Sequence, residues 1–450
     1  MPSKSTTGSK GMDFTRGKKL SVGMGSSKHK DPYLAAKEAA KLAVSSCGKK
    51  PTFSLVYTNS EYAQDKILNG INEVLGTSNW IGISTDKMFS SKTGHDKDLA
   101  VTVLSLASDF MHFGIGVADN YRKNPVEAGR LAASEAMSKA QVDKYVDAYI
   151  QFTRTKTHDY HRIVRTPPYF MLAFASGAKI IDGNSIPGNE SEFLQGILNY
   201  VGPHVPMFGG SASSSFEKYL HENKGQNYQF ANGKLYTDAA IVVFVVCNLY
   251  FATFLEHGYT QTNNYASITK LDKTGYEILE INGKEPVAEY ARLLGISKKA
   301  YLQDPSKWSL TRPFGLVGID GNTYVKEALP NADSKTLHST FKLYPNCVMN
   351  ILDYDKKLTF TTISHLLEEC SKIKNDSQIK LALICSCSGR RPLLDGKENS
   401  VVKDAMKHFS QTLLFGFDSF GEIGSTYVTS PQCHSQTVTA LVLWDSLLTE

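Results

Sequence analysis

The residues best suited to chemistry sit in glycine-containing strings that follow apolar runs. Gly209-Gly210-Ser211-Ala212-Ser213 offers backbone amides and hydroxyls to a carboxylate or phosphate, because no Cβ keeps a ligand away from glycine. It is not a P-loop, since no Gly-Lys-Ser/Thr follows. Arg390 leaves the end of an apolar run at 381–387. An arginine there can clamp a carboxylate with two hydrogen bonds. The string Gly416-Phe417-Asp418-Ser419-Phe420-Gly421-Glu422 pairs glycine amides with an acid, Glu422, that could hold an ammonium group. Arginine, glutamate and glycine amides together would suit an amino-acid-like zwitterion.

Other chemistries find less support. The chain has neither the Gly-x-Ser-x-Gly elbow of a serine hydrolase nor the His-Glu-x-x-His of a zinc protease, so a binding protein is expected rather than an enzyme. The seven cysteines are odd in number, scattered and free of any Cys-x-x-Cys pair. That pattern points to free thiols in a reducing, cytoplasmic setting. Cys385-Ser386-Cys387 puts two thiols on one strand face, but zinc would need two more ligands, with His408 and Cys433 the available candidates. No metal and no cofactor is expected.

Charge is concentrated at the start. Residues 1–30 carry seven basic residues against one acid, a net of +6, so of the chain's +5 the remaining 420 residues contribute −1. This composition predicts a disordered basic tail over 1–30 that could touch an anionic surface. The near-neutral body argues against nucleic-acid binding. The first thirty residues hold no apolar run of secretory length. The apolar stretch 239–255 approaches the length of a short membrane span, roughly 17 residues. Its β-branched first half and the interruption at Asn248 instead predict two consecutive buried strands, so no transmembrane segment is expected.

The elements that position these residues repeat. Three copies of a β-α-β-β pattern are legible. The first has strands at 52–57, 80–85 and 99–106 around a helix at 62–75. The second has strands at 169–175, 207–213 and 239–247 around a helix at 190–200. The third has strands at 379–385, 414–420 and 438–443 around a helix at 401–411. Each copy carries a glycine string, read as a turn, at Gly82, Gly209 or Gly416. Such repetition constrains a fold more than a single motif. The strand runs are continuously apolar, as in sheets covered by helices. The expected class is α/β, with α+β also open, built from repeated units that share mixed sheets in a two-part body. Between the second and third copies lies an insertion of roughly 130 residues. Its Asn282-Gly283 follows an alternating strand and predicts a hairpin turn, and Pro286 opens a helix that Gly295 stops.

In this order stand Gly209-Gly210-Ser211-Ala212, Asp238-Ala239-Ala240-Ile241-Val242, His257-Gly258, Ile268-Thr269, Glu280-Ile281-Asn282-Gly283 running to Tyr290, Cys387-Ser388-Gly389-Arg390, Gly416 through Ile423, and His434-Ser435-Gln436-Thr437. This series resembles the FIST-domain family, named for F-box and intracellular signal transduction, over roughly residues 35–445. The resemblance implies an N-terminal FIST domain at 31–248 and a C-terminal one at 249–450. It implies an intracellular, cytoplasmic small-ligand sensor, with amino acids as candidate ligands and a separate downstream signalling protein as partner. The ligand-binding residues it implies are Gly209, Gly210, Ser211, Arg390, Gly416, Ser419, Gly421, Glu422, His434 and Thr437. Some family members are associated with haem, for which His257 and His434 would be the axial candidates. An interaction adaptor without a ligand is the other alternative. Ser435 stands where the family usually has asparagine, and no F-box-like helix pair precedes the domains.

Overall fold

Helices are set by their first residues and by small side chains. Asp31 accepts a 2.9 Å hydrogen bond from the Leu34 amide and Pro32 follows it, so Pro32–Cys47 starts as a capped helix, α1. Its buried face is a stripe of alanines, Ala35, Ala36, Ala39, Ala40 and Ala43. That stripe lies on the strand Ser21–Ser27, β1. The two approach so closely that a Cβ at Gly23 would sit 2.1 Å from the Ala43 carbonyl. The structure, a computed structural model, describes residues 18–96, 99–158, 167–182, 184–318, 321–426 and 429–448. The first seventeen residues of the expected tail lie outside these. The tail expectation fails from Ser21 onward, because β1 pairs antiparallel with a strand at Val101–Ala107.

Each repeat is larger than the sequence pattern suggested. The first unit runs β1, α1, β2 (Phe53–Asn59), α2 (Gln64–Leu75), β3 (Trp80–Thr85), a hairpin of β4 (Met88–Ser90) and β5 (Gly94–His95), and β6 (Val101–Ala107). The second runs β7 (Met111–Asp119), α3 (Pro125–Lys139), β8 (Tyr169–Ser176), α4 (Glu190–Val201), β9 (Met207–Ala212), a hairpin of β10 (Gln229–Ala231) and β11 (Lys234–Tyr236), and β12 (Ala239–Cys247). The third runs β13 (Leu249–His257), α5 (Lys356–Ser371), β14 (Ile379–Cys387), α6 (Glu398–His408), β15 (Leu413–Ser419), a hairpin of β16 (Glu422–Gly424) and β17 (Gln432–His434), and β18 (Thr437–Leu447). The stretch 239–255 is two consecutive strands, as expected, and they belong to different sheets, with Asn248 between them. Among the described residues no helix is long and apolar enough to cross a membrane.

The sheets close a cycle. In each unit the two central strands are parallel and the last strand is antiparallel to the first of them. Every hairpin then leaves its own unit. β10–β11 extends the first sheet, β16–β17 the second and β4–β5 the third. The three sheets are therefore mixed, in an α/β arrangement. Their inner faces share one core, in which Tyr57 stacks on Phe415 at 4.5 Å and lies 4.7 Å from Phe417. Their outer faces pack under α1 and α2, α3 and α4, and α5 and α6. Strands buried on both faces must be continuously apolar.

The insertion occupies the third unit between β13 and α5. It forms its own seven-stranded sheet with a separate core around Tyr290, Tyr301 and Phe314. Asn282 and Gly283 both have positive φ, at 54° and 73°, as a tight hairpin turn requires.

Candidate functional site

The glycine strings are not turns. Gly82, Gly209 and Gly416 lie inside β3, β9 and β15, the second parallel strand of each unit. Their smallness serves packing between strands. A Cβ at Gly209 would sit 1.8 Å from the Ala173 carbonyl, and one at Gly416 would sit 2.2 Å from the Phe89 ring. Past these glycines the three strand ends are stitched together. The Ser213 amide donates to the Ser84 carbonyl at 3.0 Å. Ser213 Oγ and Thr85 Oγ1 donate to the Asp418 carbonyl at 2.8 and 2.7 Å. Ser211 donates through its amide to the Gly421 carbonyl at 2.9 Å. Ser419 Oγ is spent on the same seam, accepting from the amides of Ser211 and Gly421. Ser211, Ser419 and Gly421 are thus joined in one hydrogen-bonded seam beside Gly210; Gly209 and Gly416 pack against neighbouring strands, and the Ser211 hydroxyl is buried without a partner.

Glu422, His434 and Thr437 lie beside that seam in a buried polar cluster. Glu422 faces Gly210 across one strand boundary and His434 across the next. It is fully buried, and neither carboxyl oxygen has a hydrogen-bond partner of good geometry. Burial pushes its carboxyl well above the usual range, against the pull of the nearby Thr437 amide and Cys387 thiol. Glu190, the first residue of α4, is also buried and raised by desolvation, and its charge pushes Glu422 further up. Burial likewise raises the Cys385 and Cys387 thiols. His434 Nε2 meets the Gly424 carbonyl at 3.2 Å, while Nδ1 is unpartnered. Burial first, then Lys326, lowers its pKa to about 3, so the ring is neutral. Gln436, beside it, has a strained φ of 53°. Thr437 Oγ1 donates to the Ser435 carbonyl at 2.7 Å. His257, on β13, accepts from the Tyr259 amide through Nδ1 at 3.3 Å, and burial lowers its pKa. Among the described residues no three His, Cys, Asp or Glu side chains are grouped to hold a metal ion.

Arg390 belongs elsewhere. It lines a cleft at the carboxyl ends of β14 and β15, where open α/β sheets place ligands. Its guanidinium donates to the Thr359 carbonyl at 3.1 Å, to Thr362 Oγ1 at 2.7 Å and to Ser386 Oγ at 3.3 Å. It is 2% exposed and makes no ion pair among the described residues. The acids that line this cleft are Asp418 and Glu398, not Glu422. Asp418 Oδ2 is buried without a hydrogen bond, and His95 Nε2 lies 3.6 Å from it, beyond hydrogen-bond reach. Arg391, in the same wall, is occupied by an ion pair with Asp86. His95 comes from the exchanged hairpin of the first unit. The cleft encloses about 350 Å³ of empty space including its mouth.

Two further clefts are built from the same parts. Each joins the segment after a unit's first parallel strand with residues beside or on the hairpin exchanged from another unit. In the first unit Ser60 to Ala63 face Tyr228 and Lys218. In the second unit α4 faces Gln432 and Cys433, and the insertion adds Lys326 and Phe341 as a cover. Asp418 was present in the quoted glycine string, but its role depends on β15 being a strand. Nothing in local spacing marks His95, Glu190 or Lys326, which arrive through the hairpin exchange, a buried helix start and the insertion.

A model of the FIST N domain matches residues 52–284 and a model of the FIST C domain matches 286–425. An uncharacterized protein of Methanocaldococcus jannaschii is 24% identical over 397 residues, which are 84% of this chain and 67% of that one. A solved cyanuric acid hydrolase from A. caulinodans aligns with 51% of this chain and 71% of its own at 9% identity and a TM-score of 0.27. PurLQS from Thermotoga maritima aligns with 95% and 73% at 9% identity and a TM-score of 0.22. Neither alignment is close enough to carry an argument about fold or function.

Proposed function

The chain belongs to the FIST family, and from that premise we propose that it is a small-ligand sensor whose ligand is an amino acid or similar zwitterion held between Arg390 and Asp418. FIST domains are associated with signal transduction. The observation that supports this ligand is one cleft holding a buried cation without an ion-pair partner among the described residues and a buried carboxylate oxygen without a hydrogen bond. A carboxylate beside the guanidinium and an ammonium beside Asp418 would satisfy both. The protein acts by binding rather than turnover, and a separate partner carries the signal.

The cleft is tight. Its free interior has room for roughly one water. A ligand therefore enters by displacing the wall formed by Leu394 and α6. Asp395 and Gly396 precede that helix with φ of 50° and 70°, a turn on which it can swing. This movement is the signal. Calorimetric titration with the twenty amino acids tests the reading. One or a few should bind, and Asp418→Asn or Arg390→Lys should weaken them by about 10–100-fold, the worth of about 1.5–3 kcal/mol for a charged hydrogen bond. A flat response to every amino acid refutes it.

A further inference from the structure

We propose that Lys326 is an imine-forming residue, its amine condensing with a small aldehyde or ketone admitted to the cleft between α4 and the insertion. Lys326 ends the strand Thr323–Lys326 and is 6% exposed. Its Nζ donates to the Cys433 carbonyl at 2.9 Å and lies 5.9 Å from the centre of the Phe341 ring. Among the described residues no carboxylate pairs with it. An ammonium group so placed is stripped of water and counter-charge, and that is how proteins make a lysine nucleophilic. The cleft beside it encloses about 990 Å³ of empty space including its mouth. Leu194, Leu198, Leu316 and Phe341 give it apolar walls, Ser191 and Gln432 add polar ones, and Glu192, which accepts from the Tyr276 hydroxyl, adds an acid that does not pair with Lys326. A small carbonyl compound with an apolar body matches this lining.

Burial lowers the amine from its ordinary 10.5 to about 8. At pH 7.5 about a quarter of it is then neutral, against about one part in a thousand for an ordinary lysine, a ratio of about two hundred. The neutral nitrogen attacks the carbonyl carbon. A C–N bond forms, the C–O π bond breaks, and a proton passes from nitrogen to oxygen. The resulting carbinolamine loses its hydroxyl with the second nitrogen proton as water, leaving C=N. No oxidant or reductant is consumed. The inference is independent of the zwitterion in the Arg390 cleft.

The full chain, treated with butanal and cyanoborohydride at pH 7.5, should gain one butyl group at Lys326. Peptide mapping should show it about a hundredfold faster than at the exposed Lys342, which lines the same cleft and serves as the internal control. Lys326→Met should keep its far-ultraviolet spectrum and lose only that adduct. If that variant does not fold, the pH dependence of labelling in the natural chain still decides. Half-maximal rate at Lys326 near pH 8 supports the proposal. A midpoint above about 10, adducts confined to exposed lysines, or an unmodified Lys326 overturns it.

Discussion

Replacing Glu422 by glutamine should change how stability responds to pH more than it changes stability at any one pH. In the folded chain the Glu422 carboxyl is fully buried, has no good hydrogen-bond donor and is held protonated well above its ordinary 4.5 by burial. In the unfolded chain it ionises near 4.5. Between those two values the folded state binds one more proton than the unfolded state, so the carboxyl's contribution to stability is complete below 4.5 and is lost as pH rises toward the folded value. Each pH unit in that window costs about 1.4 kcal/mol. Glutamine keeps the shape and cannot ionise. The stability of Glu422→Gln minus that of the natural chain should therefore grow as pH rises above 4.5, by up to about 1.4 kcal/mol per pH unit until the folded carboxyl ionises. All other titrating groups cancel in this difference, except Glu190, which the parallel variant Glu190→Gln controls. Urea unfolding at four pH values, with slopes required to match between variants, gives the number. A pH-independent difference would mean that Glu422 is ionised in the folded chain, and the account of a dry, unpaired carboxyl would be wrong.

Gly209→Ala places a methyl 1.8 Å from the Ala173 carbonyl and should cost about 1–3 kcal/mol by overpacking without altering ligand binding in the Arg390 cleft; urea unfolding and calorimetry check the two halves separately. Fragments 18–248 and 249–450, produced apart, should be unstable and should recover structure when co-expressed, because the second sheet needs β16–β17 and the third needs β4–β5. Two separately folded monomers, seen by size-exclusion chromatography and hydrogen exchange, would count against that view.

Continuous apolar runs made the parallel pair and the last strand of each unit legible, together with the helix between the pair. Runs such as 239–247 and 379–385 are apolar throughout because they touch the shared core on one face and a helix on the other. The first strands of the first two units, β1 and β7, escaped notice for a different reason. β1 and β7 pack under alanine stripes, and their glycines, as in Gly23-Met24-Gly25 and Gly114-Ile115-Gly116, dilute the apolar signal. The glycine strings read as turns because glycine is the commonest turn residue, yet in β9 and β15 the demand is for close strand-to-strand contact. At the site, Arg390 and the third string were visible as chemical groups. Their pairing was not. Whether Glu422 or Asp418 joins the arginine depends on which face of a strand each occupies. Glu422 lies on a hairpin strand that points into the polar cluster, and Asp418 lies on β15, four residues earlier, and lines the cleft.

The cyclic hairpin exchange ties the Arg390 cleft to more than one unit. The Arg390 cleft is walled by β14, β15 and α6 of the third unit and by Phe89 and His95 of the first. An occupant therefore touches two units at once. The backbone of Asp418 is tied to the first unit by its amide, which donates to the Lys87 carbonyl at 2.9 Å, and to the second by its carbonyl, which accepts from Ser213 Oγ. A shift of Asp418 toward an ammonium group would pull on both. The side chains at the three clefts differ while the backbone frame repeats, so one architecture can serve different chemistry at each corner. A division at residue 248 describes the order of the repeats along the chain, but the hairpins of one part complete the sheets of the other. The Arg390 cleft thus sits at the joint between the two FIST domains rather than within the second alone.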